Sequence, residues 1–195
     1  MEKVWQQVEE FRSKHESTKT GDLPVDVFSL VELDLRLDVI PFDDLTAKYQ
    51  VEAALRADFT GIYVDAETYH DFESGADWKL KRLRFSLAHE LGHYVLHRQI
   101  PQTRHFATLP DFANWTQNYG GQKYTLEQEA NEFAGRLLVP IQRLKEYYVE
   151  FTSKMDASLL SFLRTPFTEH AASKFGVNSQ VVSVRLDREG IWPAG

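Results

Sequence analysis

The chain contains no cysteine among its 195 residues. That absence excludes disulfide bridges, cysteine-ligated zinc, iron–sulfur clusters and thiol catalysis, so a metal site would have to use histidine and carboxylate ligands. No apolar run approaches the roughly 18 residues that indicate a membrane-spanning helix. Basic residues are also few, since 22 Lys and Arg stand against 29 Asp and Glu, and the formal net charge of −7 disfavours a broad surface for nucleic-acid phosphates.

The residues that are present are typical of a globular protein, with 43% hydrophobic and 13% aromatic side chains. At about 150 residues per domain, the length predicts one compact domain with an appendage. The amino-terminal residues lack an uninterrupted apolar stretch of the kind found in signal peptides, so we expect the protein in the cytoplasm.

Apolar residues recur at helical spacing in most of the chain. We predict helices over residues 2–16, from about 26, 78–97, 125–138, 141–150, 156–164, 167–175 and 179–188. Two segments, 35–39 and 59–65, are predicted strands, the first ended by Pro41. The second is either the edge strand of a small sheet, to which an extended peptide could add, or an ordinary sheet strand. Residues 105–121 are predicted to form a long loop.

The sequence His89-Glu90-Leu91-Gly92-His93 is an HExxH motif within the long predicted helix. Histidines at positions i and i+4 lie on one helix face, so both imidazoles can reach one zinc ion. Glu90 lies beside them and can act on a metal-bound water. The pattern therefore predicts a catalytic metal site rather than two unrelated surface histidines.

A catalytic zinc ion needs a third protein ligand, and four residues are candidates. His97 lies about 12 Å along the helix axis from the first histidine of the motif, too far for one ion to bind both. His105 falls in the predicted loop. Glu127 and Glu129 belong to the next strong helix, and the spacing favours Glu127 because Asn131, at i+4, shares its face and could orient a ligand histidine.

Three segments carry a family resemblance: His89-Glu-Leu-Gly-His93 with Tyr-Val-Leu-His97, Leu126-Glu-Gln-Glu-Ala-Asn-Glu-Phe-Ala134, and Leu137-Leu-Val-Pro140. Together they resemble the ImmA/IrrE family of metallo-endopeptidases. The resemblance implies a gluzincin-like site in which His89, His93 and Glu127 hold zinc and Glu90 is catalytic. It also implies a role in bacterial or phage regulation, usually the cleavage of a helix-turn-helix repressor.

The expected fold class is α+β: mainly helical, with a small antiparallel or mixed sheet packed on the HExxH helix in a zincin-like arrangement. We divide the chain into an amino-terminal helix and linker over 1–24, a catalytic part over 25–150 and a carboxy-terminal helical tail over 151–195. Within the tail, 171–188 has a helix-turn-helix cadence with basic residues, Lys174, Arg185 and Arg188, that could meet phosphates. The acidic composition favours packing on the catalytic part over direct nucleic-acid binding.

The predicted function is that of a zinc-dependent endopeptidase in which Glu90 assists attack of zinc-bound water on a peptide bond. Manganese(II) or iron(II) could replace zinc at a site with two histidines and a glutamate. The expected partner is a protein substrate, namely a transcriptional repressor. No membrane partner is expected. Two alternatives remain: a noncatalytic, metal-stabilised module that binds a repressor or DNA, and the enzymatic half of a toxin–antitoxin or phage switch pair.

Overall fold

The helices and strands were identified in a computed structural model that describes residues 2–19, 21–71, 77–99, 121–153, 155 and 160–192. The helices are α1 Glu2–Lys14, α2 Glu16–Lys19, α3 Val27–Ser29 with a π-helical extension Leu30–Asp34, α4 Leu45–Tyr49, α5 Ala66–His70, α6 Asp77–Leu96, α7 Gly121–Leu138, α8 Ile141–Thr152, α9 Leu160–Phe175 and α10 Ser179–Glu189. The strands are β1 Asp38–Phe42, β2 Ala53–Leu55 and β3 Gly61–Asp65. The predicted α+β class is confirmed. No helix in these ranges is long and apolar enough to cross a bilayer.

The described strands form a small mixed sheet in the order β1-β3-β2. Strand β3 runs parallel to β1 and antiparallel to β2. Of the two interpretations of residues 59–65, the edge strand is therefore wrong and the ordinary sheet strand is confirmed, because β3 pairs on both sides. The other predicted strand is displaced towards the carboxyl terminus and includes Pro41, which an edge strand such as β1 tolerates because its outer side needs no ladder hydrogen bond.

Helices α6 and α7 cross in close contact at a glycine of the HExxH motif. A Cβ atom on Gly92 would lie 2.9 Å from Cα of Ala130 and 3.2 Å from Cβ of Phe133. Glycine therefore lets the two backbones approach more closely than any other residue would. The approach brings the first half of α7, which starts before the predicted residue 125, against the motif.

A buried carboxylate on α7 ties both ends of the chain to that helix. Glu132 is 1% exposed and accepts hydrogen bonds from Nε1 of Trp5 on α1 at 2.7 Å and from Nη1 of Arg185 on α10 at 2.7 Å. Apolar residues of α1 also belong to the main hydrophobic core. The division of the chain at residues 24 and 150 stays a prediction.

The carboxy-terminal helices differ from the prediction in one respect. Helix α9 is a single helix that continues through Pro166, where the sequence predicted a break between two helices. Proline removes one backbone donor, but buried Phe167, Ala171 and Phe175 anchor the helix in the core and offset that loss. Gly176, with φ of +62°, then makes the turn into α10.

Candidate metal centre

Three side chains from α6 and α7 converge on one point. Nε2 of His89 lies 3.1 Å from Nε2 of His93 and 3.1 Å from Oε2 of Glu127, and Nε2 of His93 lies 3.5 Å from Oε1 of Glu127. Tetrahedral zinc with ligand bonds of about 2.05 Å separates neighbouring ligand atoms by about 3.3 Å. The three groups therefore fit a metal ion, and three protein ligands leave a fourth position for water or substrate.

The electrostatics of these groups favour a positive charge between them. Burial alone would lower the pKa of His89, but its hydrogen bond to Glu127 and the negative charge of Glu90 outweigh burial and raise that pKa. Burial would raise the pKa of Glu127, but hydrogen bonds and positive charge from His89 and His93 outweigh it and lower that pKa well below its usual range. Both shifts show that the carboxylates favour positive charge on this point, and a metal ion would replace the proton of His89 because a ligand imidazole must be neutral.

Each histidine of the motif has a partner on its Nδ1, the ring nitrogen that faces away from Glu127. Nδ1 of His89 lies 3.0 Å from Oδ1 of Asn131. Nδ1 of His93 lies 2.9 Å from Nδ1 of His97, whose Nε2 lies 3.0 Å from Oε2 of Glu129. If Nε2 of His93 lends its lone pair to a metal, the ring proton is on Nδ1, and we assign the chain as His93 donating to His97 and His97 donating to Glu129. Such partners fix the ring orientation of metal ligands.

Of the four candidates for the third ligand, Glu127 is the one that lies against both histidines of the motif. The second helix brings Glu127 to both histidines of the motif, as its spacing favoured. His97, 2% exposed, contacts His93 instead of joining the ligand set. His105 lies outside the described residues. Glu129 contacts His97 and not the two histidines of the motif, a pairing that the sequence analysis does not predict. The i, i+4 spacing of His93 and His97 was the available signal for the contact between their rings, because residues four apart are neighbours on a helix face.

Glu90 lies at the junction of α6 and the sheet. It is 5% exposed, and its Oε2 accepts a hydrogen bond from the backbone N–H of Leu55 at 2.8 Å. The residues that flank β2, Glu52 and Arg56, hydrogen-bond to Asp65 and Gly61, and the alternation of an antiparallel ladder then turns the backbone of Leu55 away from β3. The carboxylate next to the ligand histidines is therefore held at the outer edge of β2.

A comparison with known protein families matches the part of the chain that contains this site. A family model described as Peptidase_M78, IrrE N-terminal-like domain, matches residues 77–187, which is more than half of the chain. The matched segment contains α6, α7 and all the site residues described above except Leu55. No curated protein matches the chain.

Proposed function

The chain belongs to the Peptidase_M78 family, the ImmA/IrrE metallopeptidases, and from that premise we propose that it is a zinc-dependent endopeptidase that cleaves a transcriptional repressor. The observation that carries the proposal is the convergence of His89, His93 and Glu127 beside the buried carboxylate of Glu90. A closed structural zinc site has four protein ligands and no use for an adjacent base. Three ligands with a base beside them favour catalysis.

In this proposal His89, His93 and Glu127 hold the metal, which when bound would polarise the scissile carbonyl and acidify water. Glu90 takes a proton from the attacking water and delivers it to the departing amide nitrogen. The N–H of Leu55 holds the Glu90 carboxylate in place. Asn131 and His97 orient the two ligand imidazoles through their second nitrogens.

The substrate is proposed to bind as an extended segment along β2. Backbone groups of Ala53 and Leu55 face the side of this strand that does not pair with β3. An extended peptide adding to that edge would pass Glu90, because Leu55 already contacts it.

The proposed substrate class is a helix-turn-helix repressor of a bacterial or phage regulatory system, and the proposed compartment is the cytoplasm. Direct nucleic-acid binding stays an unfavoured alternative, since Arg185 is buried against Glu132.

The decisive experiment compares the wild-type chain with Glu90→Gln, both loaded with zinc, on a repressor encoded beside the gene. Glutamine can still accept the hydrogen bond from Leu55, so we expect zinc content to be unchanged. A general base contributes about 10²–10⁴-fold to the rate, so the rate of cleavage should fall by at least about 100-fold. Glu146→Gln, a charge change on exposed α8, is the matched control and should cleave normally.

Mass spectrometry of the products and metal analysis of each variant give the two readouts. Normal cleavage by Glu90→Gln would contradict the assigned base. Zinc bound by the wild type without cleavage of any candidate repressor would favour a noncatalytic module that binds its partner without cutting it.

A further inference from the structure

A groove of about 600 Å³ lies at the surface between α5 and the segment formed by α3 and its π-helical extension. Phe28, Leu33 and Tyr69 provide its apolar lining, and Asp26 and Glu32 add carboxylates. The mechanism proposed above uses none of these residues.

Leu33 presents an apolar side chain to solvent in this groove. It is 71% exposed, whereas Val27, Leu30 and Val31 of the same segment are fully buried. The N–H of Leu35 donates to the carbonyl of Leu30, five residues earlier, which makes this turn π-helical and wider than an α-helical turn. In an α-helix Leu33 would lie on the inner face with Leu30, three residues before it, but the wider turn rotates it outward. Turns of this kind often mark functional sites.

The charge beside these apolar residues is negative. Glu32 is exposed, and among the described residues its carboxylate has no hydrogen-bond or ion-pair partner. Asp26 is also exposed, but its carboxylate accepts hydrogen bonds from Ser29 and interacts with the buried guanidinium of Arg84. No lysine or arginine lines the groove in the part of the chain that the structure describes. Glu32 is therefore the main charge that a partner would meet.

We propose that this groove docks a basic amphipathic segment of a partner protein. Apolar side chains of the segment pack on Phe28, Leu33 and Tyr69, and a lysine or arginine pairs with Glu32. An apolar cavity of about 150 Å³ is enough to hold benzene, so the groove has room for more than one large apolar side chain. The negative charge selects a cationic segment over an acidic one. Docking needs neither a metal ion nor Glu90, so the proposal goes beyond the peptidase function.

The test is a fluorescence-anisotropy titration of a labelled peptide with the full-length chain. The peptide has about 15 residues, enough for a helix, and contains only lysine and leucine, with the leucines spaced so that they share one helix face. A second peptide has glutamate in place of every lysine. His70 also lines the groove, so the titration is run at pH 8, where histidine side chains in general are neutral.

The lysine peptide should bind saturably and at least tenfold more tightly than the glutamate peptide, because like charges repel the latter. Added salt should weaken binding of the lysine peptide, since the charges that attract it are exposed.

Two variants test whether the peptide binds in the groove. Leu33→Ser removes the exposed apolar side chain and should weaken binding at least tenfold, and Glu32→Lys reverses the main charge and should weaken it at least threefold. Val149→Ser and Glu146→Lys make the same kinds of change at exposed positions on α8 and should bind like the wild type. All four positions are exposed, so we expect each variant to fold, and circular dichroism verifies this.

Absence of saturable binding by the wild type, equal affinity for the two peptides, or undiminished binding by both groove variants would overturn the proposal. Equal weakening by the α8 controls would also overturn it, because it would indicate general attraction to an acidic chain. Sedimentation of the free wild type and of Leu33→Ser tests another occupant. A dimer that Leu33→Ser dissociates would mean that a second copy of this chain covers the groove, against the proposal, whereas a monomeric wild type supports it.

Discussion

Replacing Gly92 by alanine should separate the two helices that hold the metal ligands. The added Cβ would lie 2.9 Å from Cα of Ala130, where apolar carbon atoms prefer about 3.5–4.0 Å. Helix α7 must therefore move by about 0.6–1.1 Å, several times the tolerance of about 0.2 Å for metal–ligand distances. Because Glu127 lies one turn before Ala130, we expect zinc affinity to fall at least tenfold, which is about 1.4 kcal/mol.

The loss of folding stability is measured separately from zinc affinity and should be about 0–3 kcal/mol. Overpacking costs about 1–3 kcal/mol, whereas exchanging glycine for alanine inside a helix recovers up to about 1 kcal/mol. Zinc affinity is measured by competition with a chromophoric chelator and stability by urea unfolding of the metal-free chain. Gly135→Ala is the matched control, because its Cβ meets only Arg185 at 3.4 Å. If Gly92→Ala bound zinc as tightly as the wild type, close helix contact would not be what positions Glu127.

Three further predictions concern residues around the site and core. His97→Leu removes the partner of His93 and should lower zinc affinity about 10–100-fold in chelator competition, and Glu129→Gln should cause a smaller loss. Unchanged affinity in both variants would mean that the His93–His97–Glu129 contacts do not orient the histidine. Glu132→Ala leaves buried arginines unpaired and should cost about 3–5 kcal/mol in urea unfolding, and a loss below 1 kcal/mol would mean that water replaces the carboxylate. Burial alone would raise the pKa of Asp65, but hydrogen bonds from Thr46 and Thr68 outweigh it and lower that pKa. The stabilisation by the Asp65 carboxylate is therefore present above the unfolded-state pKa of about 3.9 and lost as pH falls through the folded-state value. The free energies of unfolding of wild type and Asp65→Asn, measured in urea, should accordingly converge in acid and diverge at neutral pH.

Local geometry explains which parts of the site could be predicted from the sequence. His89 and His93 share a helix face because of the 3.6-residue period, and Glu127 and Asn131 share a face for the same reason. The lack of cysteine limited the ligand types to histidine and carboxylate. These features depend on spacing within a single helix, and the structure has each pair on the expected face.

Contacts between distant segments could not be predicted in the same way. The bond between His97 and Glu129 joins residues 32 apart, that between Glu90 and Leu55 residues 35 apart, and the Glu132 to Arg185 pair residues 53 apart. Each depends on how closely two elements approach, and no periodicity within either element carries that distance. For the same reason the central position of β3 was not evident, since its composition suits an edge strand and a central strand alike.

By itself, then, the sequence determined the chemistry available to this protein: two histidines at helical spacing, a glutamate between them and no thiol. Only the tertiary structure decided which carboxylate lies against the two histidines, which strand edge meets Glu90, and where Arg185 is left with an unsatisfied donor. The physical reason is that helix and strand periodicity fix the direction of side chains within one element, whereas packing at points such as Gly92 fixes the distances between elements.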